Sequence, residues 1–271
     1  MKNLEIFCTS IKYYKFLDKL PSYITPLGLG EHSFPDHWLT EKKGENISEL
    51  NKFYGELTGI YWIWKNILNK TNKNSWIGIC HYRKLWLNSY FEKKRKKSIK
   101  SLYSSLLRED NSLFQSNEAL QVQPIIFKNK TLLEDFKEIH KNNALDECLN
   151  FLDNTQKVNF KKHLLEKKLY PLNMFITKKS NFEDYCKVIF PWLDKCLVYC
   201  KENNLCNNYN VRLPAFLAER FTSFWFSQYN KKDFLSYARI GNFFLSNKVN
   251  FFINPIKLPF TLRMYPTLHK Y

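Results

Sequence analysis

The sequence predicts an α/β protein, and three observations predict it. Residues 76–80, Trp-Ile-Gly-Ile-Cys, are a short apolar run that reads as a fully buried strand. The run turns abruptly polar and cationic at His81, Tyr82, Arg83 and Lys84. Residues 4–9 repeat the pattern, with a polar-aromatic exit at Lys12, Tyr13, Tyr14 and Lys15. Between and after such strands lie longer segments with apolar residues at helical spacing. Open α/β sheets bind ligands beyond the carboxyl ends of their strands, so the two exits are expected to share one rim.

A chain of 271 residues accommodates one large α/β domain or two small ones, and 44% hydrophobic residues support a real core. Glycine is scarce (7 residues), and neither GxGxxG nor GxxxxGK[ST] occurs. Both absences count against dinucleotide-binding and P-loop readings. The net charge of +17 points to anionic partners: nucleotide-sugar diphosphates, lipid headgroups or nucleic acid. A Lys/Asn/Ile-rich coding bias would leave the same excess. The seven cysteines show no zinc spacing; Cys196 and Cys200, one helical turn apart, suit buried free thiols in a reducing compartment. No signal-peptide core and no run of about 18 apolar residues is present, so the expected location is cytoplasmic, with peripheral attachment to a membrane open.

Taken in order, residues 21–45 carry Pro21, Pro26, Gly28, Gly30, Pro35 and Gly44 and read as a long ordered loop. A helix is expected next, N-capped by Asn46 with Glu49 completing a capping box. Its core stripe is Leu50, Phe53, Leu57, Ile60, Tyr61, Trp64 and Leu68. Glu56 and Trp62 fall off that stripe; Trp62 either stacks on a base or sugar or forms a second packing surface. Residues 88–120 read as a basic insertion with one or two short helices. Its run at 92–101 is either a solvated face or a contact for anionic lipid. A short strand at 122–127, interrupted by Pro124, precedes helices at 132–152 and 158–168. The strand at 172–177 encloses Asn173, which must find hydrogen-bond partners or face a ligand. Residues 182–201 form a long amphipathic helix. The helix at 211–229 is apolar nearly all round, so Glu219 within it must be paired or poised for chemistry, with Arg212 and Arg220 as partners. A strand at 249–253 and a basic aromatic tail at 249–271 close the chain.

Four motifs in this order carry a family resemblance along most of the chain. The patterns GDNIS…N..Y.ELT..YW.WKN, GL.HYRR, NMFI and R..GFLAERL stand here as GENISELNKFYGELTGIYWIWKN, GICHYRK, LNMFITKK and RLPAFLAERF. The chain thus resembles bacterial capsule and O-antigen glycosyltransferases that include β-galactofuranosyltransferases. Glu45 departs from the usual Asp, Lys84 from the second Arg, and Ala215 from a Gly, and the insertion after Trp86 has no counterpart. The resemblance implies a single GT-A-like domain over 1–271, with a mixed central sheet flanked by helices. It implies an inverting transfer of a hexosyl group from a UDP-sugar to a lipid-linked glycan acceptor.

GT-A enzymes usually hold Mn²⁺ or Mg²⁺ with a DxD at the strand end matching HYRK, but this chain has no DxD. Arg83 and Lys84 are the expected substitutes, making the metal unnecessary. The alternative is a metal on His81 with a carboxylate such as Glu56. Glu219 is the expected general base, with Asp153 and Glu56 as runners-up. Thr9, Lys12, the helix start at Asn46, His81, Tyr82, Arg83 and Lys84 are assigned to the donor. Glu56, Trp62, Asn173, Arg212 and Arg220 are assigned to the sugars. The alternative to an enzyme is a non-catalytic glycan- or nucleic-acid-binding protein; the apolar Glu219-bearing helix and the lack of an RRM or KH pattern count against a nucleic-acid partner, and none is expected.

Overall fold

The computed structural model describes residues 4–88, 99–229 and 234–240. Most of the basic run at 92–101, the strand expected at 249–253 and the tail at 249–271 lie outside them. The strands are β1 Leu4–Ser10, β2 Ile24–Gly28, β3 Leu39–Thr40, β4 Trp76–His81, β5 Lys84–Trp86 and β6 Ala119–Val122. They continue as β7 Ile125–Ile126, β8 Lys168–Leu169, β9 Phe175–Lys178, β10 Phe234–Leu235 and β11 Tyr237–Arg239. The helices are α1 Asn51–Tyr54, α2 Leu57–Asn66, α3 Ile99–Ser105, α4 Leu113–Ser116 and α5 Leu132–His140. They continue as α6 Ala144–Cys148, α7 Asn154–Leu164, α8 Lys179–Glu202 and α9 Leu213–Ser227.

One mixed sheet runs β10-β6-β9-β4-β1-β2-β3, with β5 and β11 joined beside β4. Strands β4, β1, β2 and β3 are parallel, and β9 is antiparallel to β4 and β6. Successive side chains of a strand point to opposite faces. Phe7, Ile77 and Ile79 enter a core shared with α2, α8 and α9. Leu4, Ile6, Cys8, Trp76 and Cys80 enter a second core closed by β5, Leu102 of α3 and Phe114 of α4. Burial on both faces is why β1 and β4 read as continuous apolar runs. Gly78 leaves its space to neighbouring side chains: a Cβ there would lie 2.9 Å from Ile6 and 3.0 Å from Ile176. Cys196 and Cys200 lie buried on α8 as free thiols. No helix among the described residues is long and apolar enough to cross a membrane.

The sequence reading of the α/β class, β1, β4, α8 and α9 agrees with this architecture. Other elements differ. Residues 21–45 contain β2 and β3, short strands hidden by Pro26 and Gly28 because proline and glycine punctuate most sequences as turns. The expected helix from Asn46 breaks at Gly55, whose φ of 57° is outside the helical region, into α1 and α2. The break shifts the buried phase: Tyr54 and Trp62 are buried, while Leu50, Phe53, Tyr61 and Trp64 are only partly so. Asn46 forms no capping box; its Oδ1 accepts from the Ser48 N–H and hydroxyl in a local turn. The strand at 122–127 is instead β6, ending at Val122, and the separate β7 beyond Pro124. The helix at 132–152 is divided where Lys141 takes a φ of 56°. Asn173 precedes β9 rather than lying within it.

Candidate functional site

The chain passes from β1 to β2 and β3 on one side and returns as β4 on the other, so the strand order reverses between β1 and β4. Such a switch point opens a crevice at the carboxyl ends of the strands. Thr9 and His81 stand opposite each other there. The Thr9 hydroxyl donates to the Cys80 carbonyl at 3.2 Å and lies 3.0 Å from His81 Nδ1. In the tautomer that satisfies both contacts, Nδ1–H donates to Thr9 and Nε2 keeps its lone pair. The Tyr82 N–H bonds Thr9 O at 2.9 Å, and the chain turns through Tyr82 and Arg83 into β5. Tyr82 stacks on Tyr14 (centroids 5.0 Å, planes 13° apart), with the Arg83 guanidinium 5.1 Å from its ring. Lys84 pairs in register with Arg239 of β11. Lys12 is exposed just beyond β1.

The break at Gly55 brings Glu56 to this rim. Glu56 Oε1 accepts from Asn173 Nδ2 at 2.8 Å, and Oε2 accepts from Arg212 Nη2 at 3.1 Å. A Cβ at Gly55 would overlap the Arg212 guanidinium, so the pairing depends on that glycine. Asn173 is buried, and its Oδ1 accepts from the Thr222 hydroxyl at 3.1 Å. Thr222 is in turn 2.7 Å from the Tyr185 hydroxyl. Glu219 comes from α9. Its Oε1 accepts the Leu172 N–H at 2.6 Å, and its Oε2 accepts from Arg220 Nη1 at 2.7 Å. Leu172 has a φ of 72°, a strained conformation for a non-glycine residue, and its N–H is held by that carboxylate.

The charges are coupled. Burial pulls the Lys84 ammonium down to about 8, with Arg83 adding to the effect and Glu56 and Glu219 opposing it. Burial also lowers the His81 imidazole, opposed by Glu56 and reinforced by Lys84, Arg83 and Arg212. Burial would raise the Glu56 carboxyl, but His81, Arg212 and the Asn173 amide outweigh it and hold it below the usual carboxylate range. His81 is therefore neutral at pH 7 and Glu56 ionised.

Three residues assigned to ligands from sequence lie elsewhere. Trp62 is buried, and its indole N–H donates to the Lys43 carbonyl, so it offers no face for stacking. Glu45 and Asn66 bond each other beside Asn46, which places Asn46 at the far end of α2 from Glu56. Ten helical residues separate those ends by about 15 Å. Arg220 is fully buried and bridges Glu219 and Asp135 (2.9 Å), while Lys130 bonds the other Asp135 oxygen at 2.9 Å. It holds the carboxylate from behind instead of meeting a sugar. Asp153, a runner-up for the base, N-caps α7 through Gln156 N. Sequence reading missed Gly55, Arg239 and the packing of Tyr14 on Tyr82. Only the exit pattern after β1 hinted at the last.

Among the described residues no group of three or more His, Cys, Asp or Glu is placed to hold a metal ion. Beside His81 each Glu56 oxygen accepts one hydrogen bond, and Arg83, Lys84 and Arg212 add positive charge that favours an anion there.

The fold resembles the apo structure of the WbbM bifunctional glycosyltransferase with a TM-score of 0.65 and 21% sequence identity, over 87% of this chain and 45% of that one. This chain thus spans less than half the length of that protein. The chain belongs to the family described as a domain of unknown function (DUF4422), whose model matches residues 5–231, from β1 through α9. No curated protein matches it.

Proposed function

We propose that this chain is an inverting, metal-independent glycosyltransferase that moves a hexosyl group from a UDP-sugar to a hydroxyl of a cell-surface glycan precursor. The observation that carries the reading is the rim at the β1–β4 switch point, where Arg83, Lys84 and Arg212 surround His81 and two carboxylates, Glu56 and Glu219. The motif resemblance favours galactofuranose as the sugar and a lipid-linked acceptor met at the inner face of the cytoplasmic membrane. In the reaction the acceptor oxygen attacks the anomeric carbon while Glu219 takes its proton. The bond from that carbon to the diphosphate oxygen breaks, and the charge left on UDP meets Arg83 and Lys84. Two of the lone-pair directions of Glu219 are used by Leu172 and Arg220, which fix its orientation and leave others for the hydroxyl. Glu56 positions Arg212 and Asn173.

UDP should raise the melting temperature, and EDTA should not reverse the shift. No shift with UDP would remove the transferase reading, and reversal by EDTA would remove its metal independence. Glu219→Gln should lower transfer about 10²–10⁴-fold, read by mass spectrometry of UDP release and product, with UDP affinity retained. Near-normal turnover would dismiss Glu219 as the base.

A further inference from the structure

An aromatic wall stands next to Glu219, and nothing in the reaction described above uses it. The 3-10 helix Asn208–Arg212 leads into α9. Residues three apart in such a helix eclipse, so Tyr209 lies on the same edge as Arg212. Arg212, Phe216 and Glu219 then follow at spacings of four and three, which is one face of α9. Tyr209 and Phe216 are both partly exposed, with ring centroids 5.5 Å apart and planes at 33°. Behind them His140 of α5 is buried, 5.6 Å from Tyr209 at 5° and 4.7 Å from Phe216. Reciprocal bonds lock it: His140 Nδ1–H donates to Asn210 Oδ1 at 2.8 Å, and Asn210 Nδ2 donates to the His140 carbonyl at 3.0 Å. The Tyr209 hydroxyl is raised by burial first and then by the Glu219 carboxylate. Lys84 feels the same carboxylate.

We infer that Tyr209 and Phe216, backed by His140, form the platform on which the acceptor sugar ring stacks beside Glu219. A hexose presents C–H groups on one face and hydroxyls at its edge. Partly exposed aromatic rings receive the first, and a carboxylate and a guanidinium on the same face receive the second. The acceptor, not the donor, belongs here. The diphosphate cations lie at the β4–β5 turn, whereas Tyr209 and Phe216 sit on the face of α9 and its lead-in that carries Glu219. The inference rests on the transferase reading and deepens it.

Saturation-transfer NMR on the full chain with saturating UDP tests it, using methyl β-D-galactofuranoside, methyl β-D-galactopyranoside and methyl β-D-glucopyranoside as probes. At least one glycoside should receive saturation on its ring C–H protons. Tyr209→Leu and Phe216→Leu keep apolar volume but remove the ring, and each should weaken that glycoside about three- to tenfold. Tyr209→Phe should retain it. The uracil signals in the same samples should keep their affinity in every variant. Equal glycoside binding by folded Leu variants overturns the platform, as does the absence of binding by all three probes to the wild type. Failure of the transferase reading shows separately, as a lack of saturation on uracil in the wild type.

Discussion

Lys84 is the residue on which the electrostatics of the rim turn. Its ammonium is held at about 8 by burial and by Arg83 before any diphosphate arrives. An anion beside it favours the charged form, so binding above pH 8 must bring a proton with it. The sign follows: UDP affinity should be flat from pH 7 to 8 and then fall by up to about tenfold per pH unit. Lys84→Arg should flatten the profile, since a guanidinium stays charged throughout. Isothermal titration from pH 7 to 10 reads both curves. A bend that persists in the Arg variant would assign the proton to another group. Read from sequence, Lys84 marks only the loss of bidentate geometry. The depressed ammonium depends on burial, on its neighbour Arg83 and on Arg239 of β11, with Glu56 and Glu219 opposing them from distant parts of the chain, and no local pattern reveals that balance.

At the scale of elements, β4 holds the sheet because its two neighbours fill the space that Gly78 leaves. Ile6 and Ile176 stand in register on either side. Gly78→Val should cost about 1–3 kcal/mol through overpacking, read as a lower urea midpoint with an unchanged slope. An unchanged midpoint would show that the strands part without cost. The α1–α2 pair was the least legible element. A single stripe from Leu50 to Leu68 fits one unbroken helix, and the break at Gly55 becomes necessary only because Arg212 occupies the place of a side chain. That break moves Glu56 to the rim and leaves Asn46 and Trp62 at the other end.

For the whole molecule, β10 and β11 join a sheet whose family match ends at residue 231. β11 pairs with β5, and Leu235, Ala238 and Ile240 are buried in the second core. Burial of a Leu or Ile side chain contributes about 1.5–3 kcal/mol each. A chain ending at 231 should therefore unfold at clearly lower urea than one ending at 240, and it also loses Arg239 beside Lys84. Equal midpoints would mean that this edge adds nothing to the fold.

The sequence by itself determined the α/β class, the buried strands β1 and β4, helices α8 and α9, and the cationic packet where a DxD is absent. Each is written in local periodicity, which a chain carries without its partners. Only the tertiary structure decided which charges meet. Arg220 reaches Asp135 across 85 positions and becomes part of the core, whereas Arg212 reaches Glu56 across 156 and stays at the rim. Identical side chains eight residues apart thus take opposite roles. A charge answers to what lies within a few ångströms in space, and the order of residues along the chain does not specify that distance.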